Sequence, residues 1–188
     1  GFNLIAPPMD CGANAKDLAD LIVSQGGVVD SIQRWGVGGV QAFDGWLPGT
    51  PSPFLLEEGR GYFVKLSAVP DNGTLTILGS PCADVVAMDF LVAGFNLVSV
   101  PTATAGGGHN AETLANAITN LGGAVNSVQR WGVGGAQGFD GWLPGDTAPF
   151  VVDANAGYFV KLSESPFASP VFGPTAMATS CDHLPKYT

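Results

Sequence analysis

The spacing of apolar residues changes several times along the first eighty positions, and each change marks an element. The run "FNLI" at 2–5 is short, rich in strand-forming residues and ended by prolines, so it reads as a strand. Leu18, Leu21 and Ile22 then recur at i, i+3 and i+4, which places one apolar stripe on a helix over "AKDLADLIVSQ". Asn14 stands where an N-cap belongs, its side chain able to accept the backbone N–H groups that a first turn leaves free. Gly26 supplies the stop, because glycine reaches the left-handed conformation without a Cβ clash. Beyond it, "VVDSIQRWGV" and "VQAFDGWLPG" flank Gly38 and Gly39, the pattern of a β-hairpin around a glycine-rich turn. After a proline-containing loop, "FLLEEGRGYFVKL" predicts another strand or strand pair. Strand, helix, then several strands is an α+β order. It predicts a mainly antiparallel sheet, or a small barrel, with one amphipathic helix on a face.

The whole pattern is then written again. Residues 1–8, "GFNLIAPP", return as "GFNLVSVP" at 94–101, and residues 14–67 return at 110–163, with three more residues in the second copy between these blocks. Asn110, Leu114, Ile118 and Gly122 repeat the helix signals, and "QRWGVGGAQGFDGWLPG" at 129–145 repeats "QRWGVGGVQAFDGWLPG" at 33–49. The expected organisation is one repeat module over 1–79, a linker with a possible strand over 80–93, a second pseudo-symmetric module over 94–174, and a tail over 175–188.

The ordered series "GFNL…P", helix, "W", "GW" and "GYFV" resembles tandem modules of secreted and surface proteins of bacteria and archaea. Those modules often open on Gly-Trp-Asn-Leu and close on Gly-Tyr-Trp-Val or Gly-Tyr-Phe-Val. The resemblance spans 1–79 and 94–173, and this chain departs from it in carrying Phe2 and Phe95 where the tryptophan usually stands. It implies an extracellular or cell-surface location and a non-catalytic role.

Composition narrows the function classes. Of the 188 residues 46% are hydrophobic but only 12% are charged, against about 25% in a typical soluble domain. The net charge of −9, with seven basic residues, argues against nucleic acid and against an anionic membrane surface as partners. The most apolar run, "ADVVAMDFLVAGF" at 83–95, is broken by Asp84 and Asp89 and falls short of the roughly 18–20 residues of a membrane helix. Cys11, Cys82 and Cys181 are too widely spaced for a CxxC metal or redox motif. Three buried thiols, a disulfide with one thiol left over, and an intersubunit bridge all stay open.

A doubled enzyme would repeat its acid, base or nucleophile. The copies share no histidine or cysteine: His109 lies in the second copy's extra loop and His183 in the tail. One aspartate per motif supplies no carboxylate pair for glycoside hydrolysis, and Ser67 and Ser163 lack a matched histidine. "GVGG" is not a phosphate loop, since Gln41 and Gln137 fill the third glycine position and no GK[ST] ending follows. No catalytic residue, metal site or cofactor is expected.

The shared residues that carry chemistry are Trp35, Trp46, Trp131, Trp142, Arg34, Arg130, Asp44 and Asp140. Arg34 and Asp44, like Arg130 and Asp140, fall on opposite hairpin arms, where a cross-strand ion pair stacked beside Trp35 or Trp46 uses them structurally. The alternative is a tryptophan platform for sugar rings, with doubled avidity. Buried Trp46 and Trp142 favour the structural reading, and exposed ones the binding module. A charge-poor, glycine-rich surface suits extensive self-association into a filament, tube or lattice, to which the linker and tail add strands at a neighbour's sheet edge. The expectation is therefore a non-catalytic extracellular structural subunit whose partner is itself. The competing expectation is an adhesive module for surface glycans or proteins.

Overall fold

The computed structural model describes residues 1–7, 12–69, 76–77, 86–88, 90–100, 109–153, 156–173 and 176–177. Cys11, Cys82, Cys181 and His183 lie outside these residues.

Each helix begins as the local sequence dictates. Asn14 Oδ1 accepts from the backbone N–H groups of Lys16 (2.9 Å) and Asp17 (3.2 Å), and the Asn14 N–H donates to Asp17 Oδ2 at 2.9 Å, opening helix α1 (Ala15–Ser24). Asn110 and Thr113 exchange the same pair of bonds, both at 2.8 Å, at the start of α2 (Ala111–Thr119). Gly26 and Gly122 follow the helices at φ +87° and +85°.

The chain is α+β, with two helices and two four-stranded antiparallel sheets. The first sheet orders β1 (Phe2–Ile5), β4 (Tyr62–Ala68), β2 (Val28–Trp35) and β3 (Phe43–Trp46) side by side. The second orders β6 (Gly94–Ser99), β9 (Gly157–Glu164), β7 (Ala124–Trp131) and β8 (Phe139–Trp142) in the same sequence. Both sheets are open, with β3 and β8 at one edge, so the barrel alternative is corrected: no ladder joins the first strand to the last. The predicted hairpins form with register Arg34↔Asp44 and Arg130↔Asp140. The stretch "FLLEEGRGYFVKL" forms one strand, β4, not two, because Leu55 ahead of it makes only an isolated bridge to Asn14.

Strand alternation assigns the two faces of each sheet. Tyr62, Val64 and Leu66 turn toward α1, where Leu18, Ala19 and Ile22 meet Ile32 and Trp46 in one core. The second core repeats this around Leu114, Ala115, Ile118, Val128, Trp142 and Tyr158. Phe63, Leu97 and Phe159 turn the other way and pack together, so the two sheets meet back to back with the helices outside.

Short strands β5 (Val86–Ala87), β10 (Val171–Gly173) and β11 (Ala176–Met177) form a third sheet in the order β11-β10-β5. The linker strand and the start of the tail thus both pair with β10 of their own chain. Met88 and Leu91 anchor the linker in the second core, fully and nearly fully buried, and the Arg60 guanidinium lies 4.0 Å from the centre of the Phe90 ring.

Candidate functional site

The doubled motif "QRWGVGG…Q…FDGW" divides its residues between the two sides of its sheet. On the helix side, Trp46 and Trp142 are 5% and 4% exposed, with indole N–H groups donating to Thr50 O (3.2 Å) and Asp146 O (3.3 Å). Neither offers a ring face to a ligand. Arg34 Nη2 meets Asp44 Oδ2 at 2.8 Å, and Arg130 Nη2 meets Asp140 Oδ2 at 2.7 Å, which makes the expected cross-strand ion pairs. Their aromatic partner differs from the expectation. The guanidinium carbons lie 4.4 Å over Phe54 and Phe150, not over a tryptophan, because Arg34 and Trp35 are neighbours on a strand and point to opposite faces. Phe54 and Phe150 come from the proline loop and stack on Tyr62 and Tyr158. Burial pushes the Tyr62 hydroxyl up to about 12, and the same cause raises Tyr158. Each hydroxyl accepts a 2.6 Å bond from a backbone N–H, of Glu57 and of Asp153.

On the inter-sheet side the motif reaches across to the other copy. Trp35 Nε1–H donates to Phe95 O at 2.8 Å, and Trp131 Nε1–H donates to Phe2 O at 3.0 Å. The Gln41 side chain accepts from the backbone N–H of Phe95 at 2.5 Å, and Gln137 accepts from that of Phe2 at 2.8 Å. Each hairpin therefore grips the opening strand of the opposite copy through one indole and one amide. Gly61 and Gly157 permit the approach: a Cβ on Gly61 would sit 3.1 Å from the Gly157 Cα and 3.1 Å from Leu97 Cδ1. A Cβ on Gly157 would sit 2.7 Å from Leu4 Cδ1. Antiparallel bridges Ile5↔Ala156 and Arg60↔Val98 stitch the sheets at this end.

Away from the bridges the sheets part and leave a cleft of about 450 Å³. Phe63 (4% exposed) and Phe159 (5%) form its floor, their ring centres 5.9 Å apart and tilted by 36°. Trp35, Trp131, Phe2 and Phe95 make the walls, while Phe43 and Phe139 stand at the rim, each about half exposed. The rings meet mostly edge to face, Trp35 with Phe43 at 4.7 Å and Trp131 with Phe139 at 4.8 Å. Gln33 and Gln129 are the polar lining. No lining residue exchanges a proton near neutral pH; the cleft offers apolar contact and two neutral amides.

Sequence reasoning singled out Trp35 and Trp131, which are here, but missed Gln41, Gln137, Phe43, Phe139, Gly61 and Gly157. Their one signal was identity between copies; Phe43 and Phe139 carried it unexamined, and the two glutamines were read only as breaks in a phosphate-loop spacing. Among the described residues no group of three His, Cys, Asp or Glu side chains gathers as a metal site, and no helix is long and apolar enough to cross a membrane. Comparison with family models, curated proteins and solved structures finds no match to the chain.

Proposed function

We propose that the two copies form one pseudo-symmetric, non-catalytic structural unit, and that it serves as an extracellular or cell-surface subunit that associates with further copies of itself. The observation that carries this reading is where the doubled motif spends its chemistry. Trp46 and Trp142 are core, Arg34 and Arg130 are paired on their own sheets, and Trp35, Trp131, Gln41 and Gln137 hold the opposite copy. A tryptophan platform for sugar rings would present Trp46 and Trp142 to solvent, and both are buried.

Self-association draws support from what is left outside. Strands β3 and β8 are sheet edges paired on one side only, and Leu47 and Leu143 beside them are more than half exposed. The surface is poor in charge, as the centres of permanent interfaces are. The resemblance to tandem modules of secreted proteins agrees with this role and with the location. Negative-stain imaging and sedimentation velocity from low to high micromolar protein, with and without reductant, test it. Ordered polymers or concentration-dependent oligomers support the reading, and their loss on reduction assigns a cysteine to the contact. Monomers at every concentration contradict it.

A further inference from the structure

The clasp explains why Trp35 and Trp131 are repeated, but not why the sheets stand apart between Phe43 and Phe139. Close packing is the rule for apolar faces in contact, and a void left between them forfeits dispersion contacts. We infer that the cleft is a binding site for a small, uncharged, planar molecule of about three rings. This goes beyond the assembly role and does not depend on it.

Size, charge and polarity each select the ligand. An apolar cavity of about 150 Å³ accepts one benzene, so about 450 Å³ accommodates about three rings. Ligand sites of this size are commonly apolar and aromatic with a few placed polar groups. The lining holds no Asp, Glu, Lys or Arg. The Lys65 and Lys161 ammonium groups lie 6.0 and 5.3 Å from the centres of the Phe2 and Phe95 wall rings without joining the lining. An ionised ligand would therefore lose its hydration without a counter-charge in the lining itself. A sugar is disfavoured for a related reason: its many hydroxyls would find only the Gln33 and Gln129 amides. A flat aromatic molecule needs no more than one polar group at each end, which two amides on facing sheets satisfy.

Gly45 and Gly141 leave room beside the two glutamines that line the cleft. Each lies opposite a glutamine in the ladder, Gln33↔Gly45 and Gln129↔Gly141, and a Cβ there would press on the glutamine Cγ at 3.3 Å. Alternation puts these positions on the same face as Phe43 and Phe139. Any larger residue there pushes on the glutamine that lines the cleft.

N-phenyl-1-naphthylamine, a neutral three-ring fluorophore, is the probe. The expected result is a saturable fluorescence increase at one probe per chain. In the same titration the indole N–H resonances of Trp35 and Trp131 move, while those of Trp46 and Trp142 stay. The Gly45→Val/Gly141→Val variant suits a strand and displaces Gln33 and Gln129 in the lining; it weakens binding by about tenfold or more with the fold retained. Non-saturable binding overturns the inference, as does movement of Trp46 and Trp142 instead of the cleft tryptophans. A stoichiometry of one probe per two chains overturns it too, because the cleft is then completed by a second copy. Saturable cellobiose binding at Trp35 and Trp131 in place of the probe overturns the ligand class. If the double variant does not fold, the indole resonances of the unmodified chain decide alone.

Discussion

Gly61→Ala and Gly157→Ala probe a close backbone approach between the two copies. Neither glycine has a left-handed φ, so alanine suffers no intrinsic backbone strain at either position. On conformational entropy alone each substitution stabilises by about 0.4–1 kcal/mol, since alanine restricts the unfolded chain. Packing opposes this. The new Cβ at 61 meets the Gly157 Cα at 3.1 Å, and that at 157 meets Leu4 Cδ1 at 2.7 Å and the Gly61 Cα at 3.3 Å. Overpacking a filled site costs about 1–3 kcal/mol, so the net effect of either substitution is a loss of about 1–2 kcal/mol. The double variant loses more than the sum, because the two methyl groups face each other across the join. Gly138→Ala is the internal control: nothing lies within 4 Å of its Cβ position, and the first copy carries Ala42 there. It gains a few tenths of a kcal/mol. Urea unfolding followed by tryptophan fluorescence measures all four variants. If Gly61→Ala and Gly157→Ala match Gly138→Ala, the two backbones do not touch and the reasoning fails.

Three more outcomes follow from the same contacts. Burial raises Tyr62 to about 12 from an ordinary value of 10, so its contribution is complete below pH 10 and is lost as pH climbs toward 12. The full effect is about 3 kcal/mol; Tyr62→Phe should flatten that part of the alkaline stability curve, and an unchanged slope would contradict the burial argument. Trp35→Phe removes the indole bond to Phe95 O of the opposite copy and costs about 1–2 kcal/mol in denaturant unfolding; Trp131→Phe costs less, because Phe2 O keeps its bond from Gln137 Nε2. Asp44→Asn costs less than about 1 kcal/mol, because the ion pair sits at the surface with the aspartate half exposed, and salt shrinks the difference further.

Local features were legible in the sequence and non-local ones were not. The Asn14 and Asn110 caps, the helix stripes and the hairpin register from Arg34 and Asp44 depend on residues a few positions apart, so spacing alone finds them. Contact of Trp35 with Phe95 O or of Gln137 with Phe2 joins residues far apart in the chain, and no periodicity encodes that. The same blindness hid the openness of the sheets, since a barrel and a pair of back-to-back sheets share one strand pattern. Gln41 and Gln137 were noticed only as interruptions of a phosphate-loop spacing. Phe54 and Phe150 went unmarked as arginine partners because loop residues carry no register.

Under the proposed reading the motif is doubled because each copy completes the other. Differential scanning calorimetry of the intact chain tests it most directly. Interlocked copies should unfold in one transition, with a calorimetric-to-van't Hoff enthalpy ratio of about one. Two resolved transitions, or a ratio of about two, would mean that the copies fold independently and that the clasp does not join them.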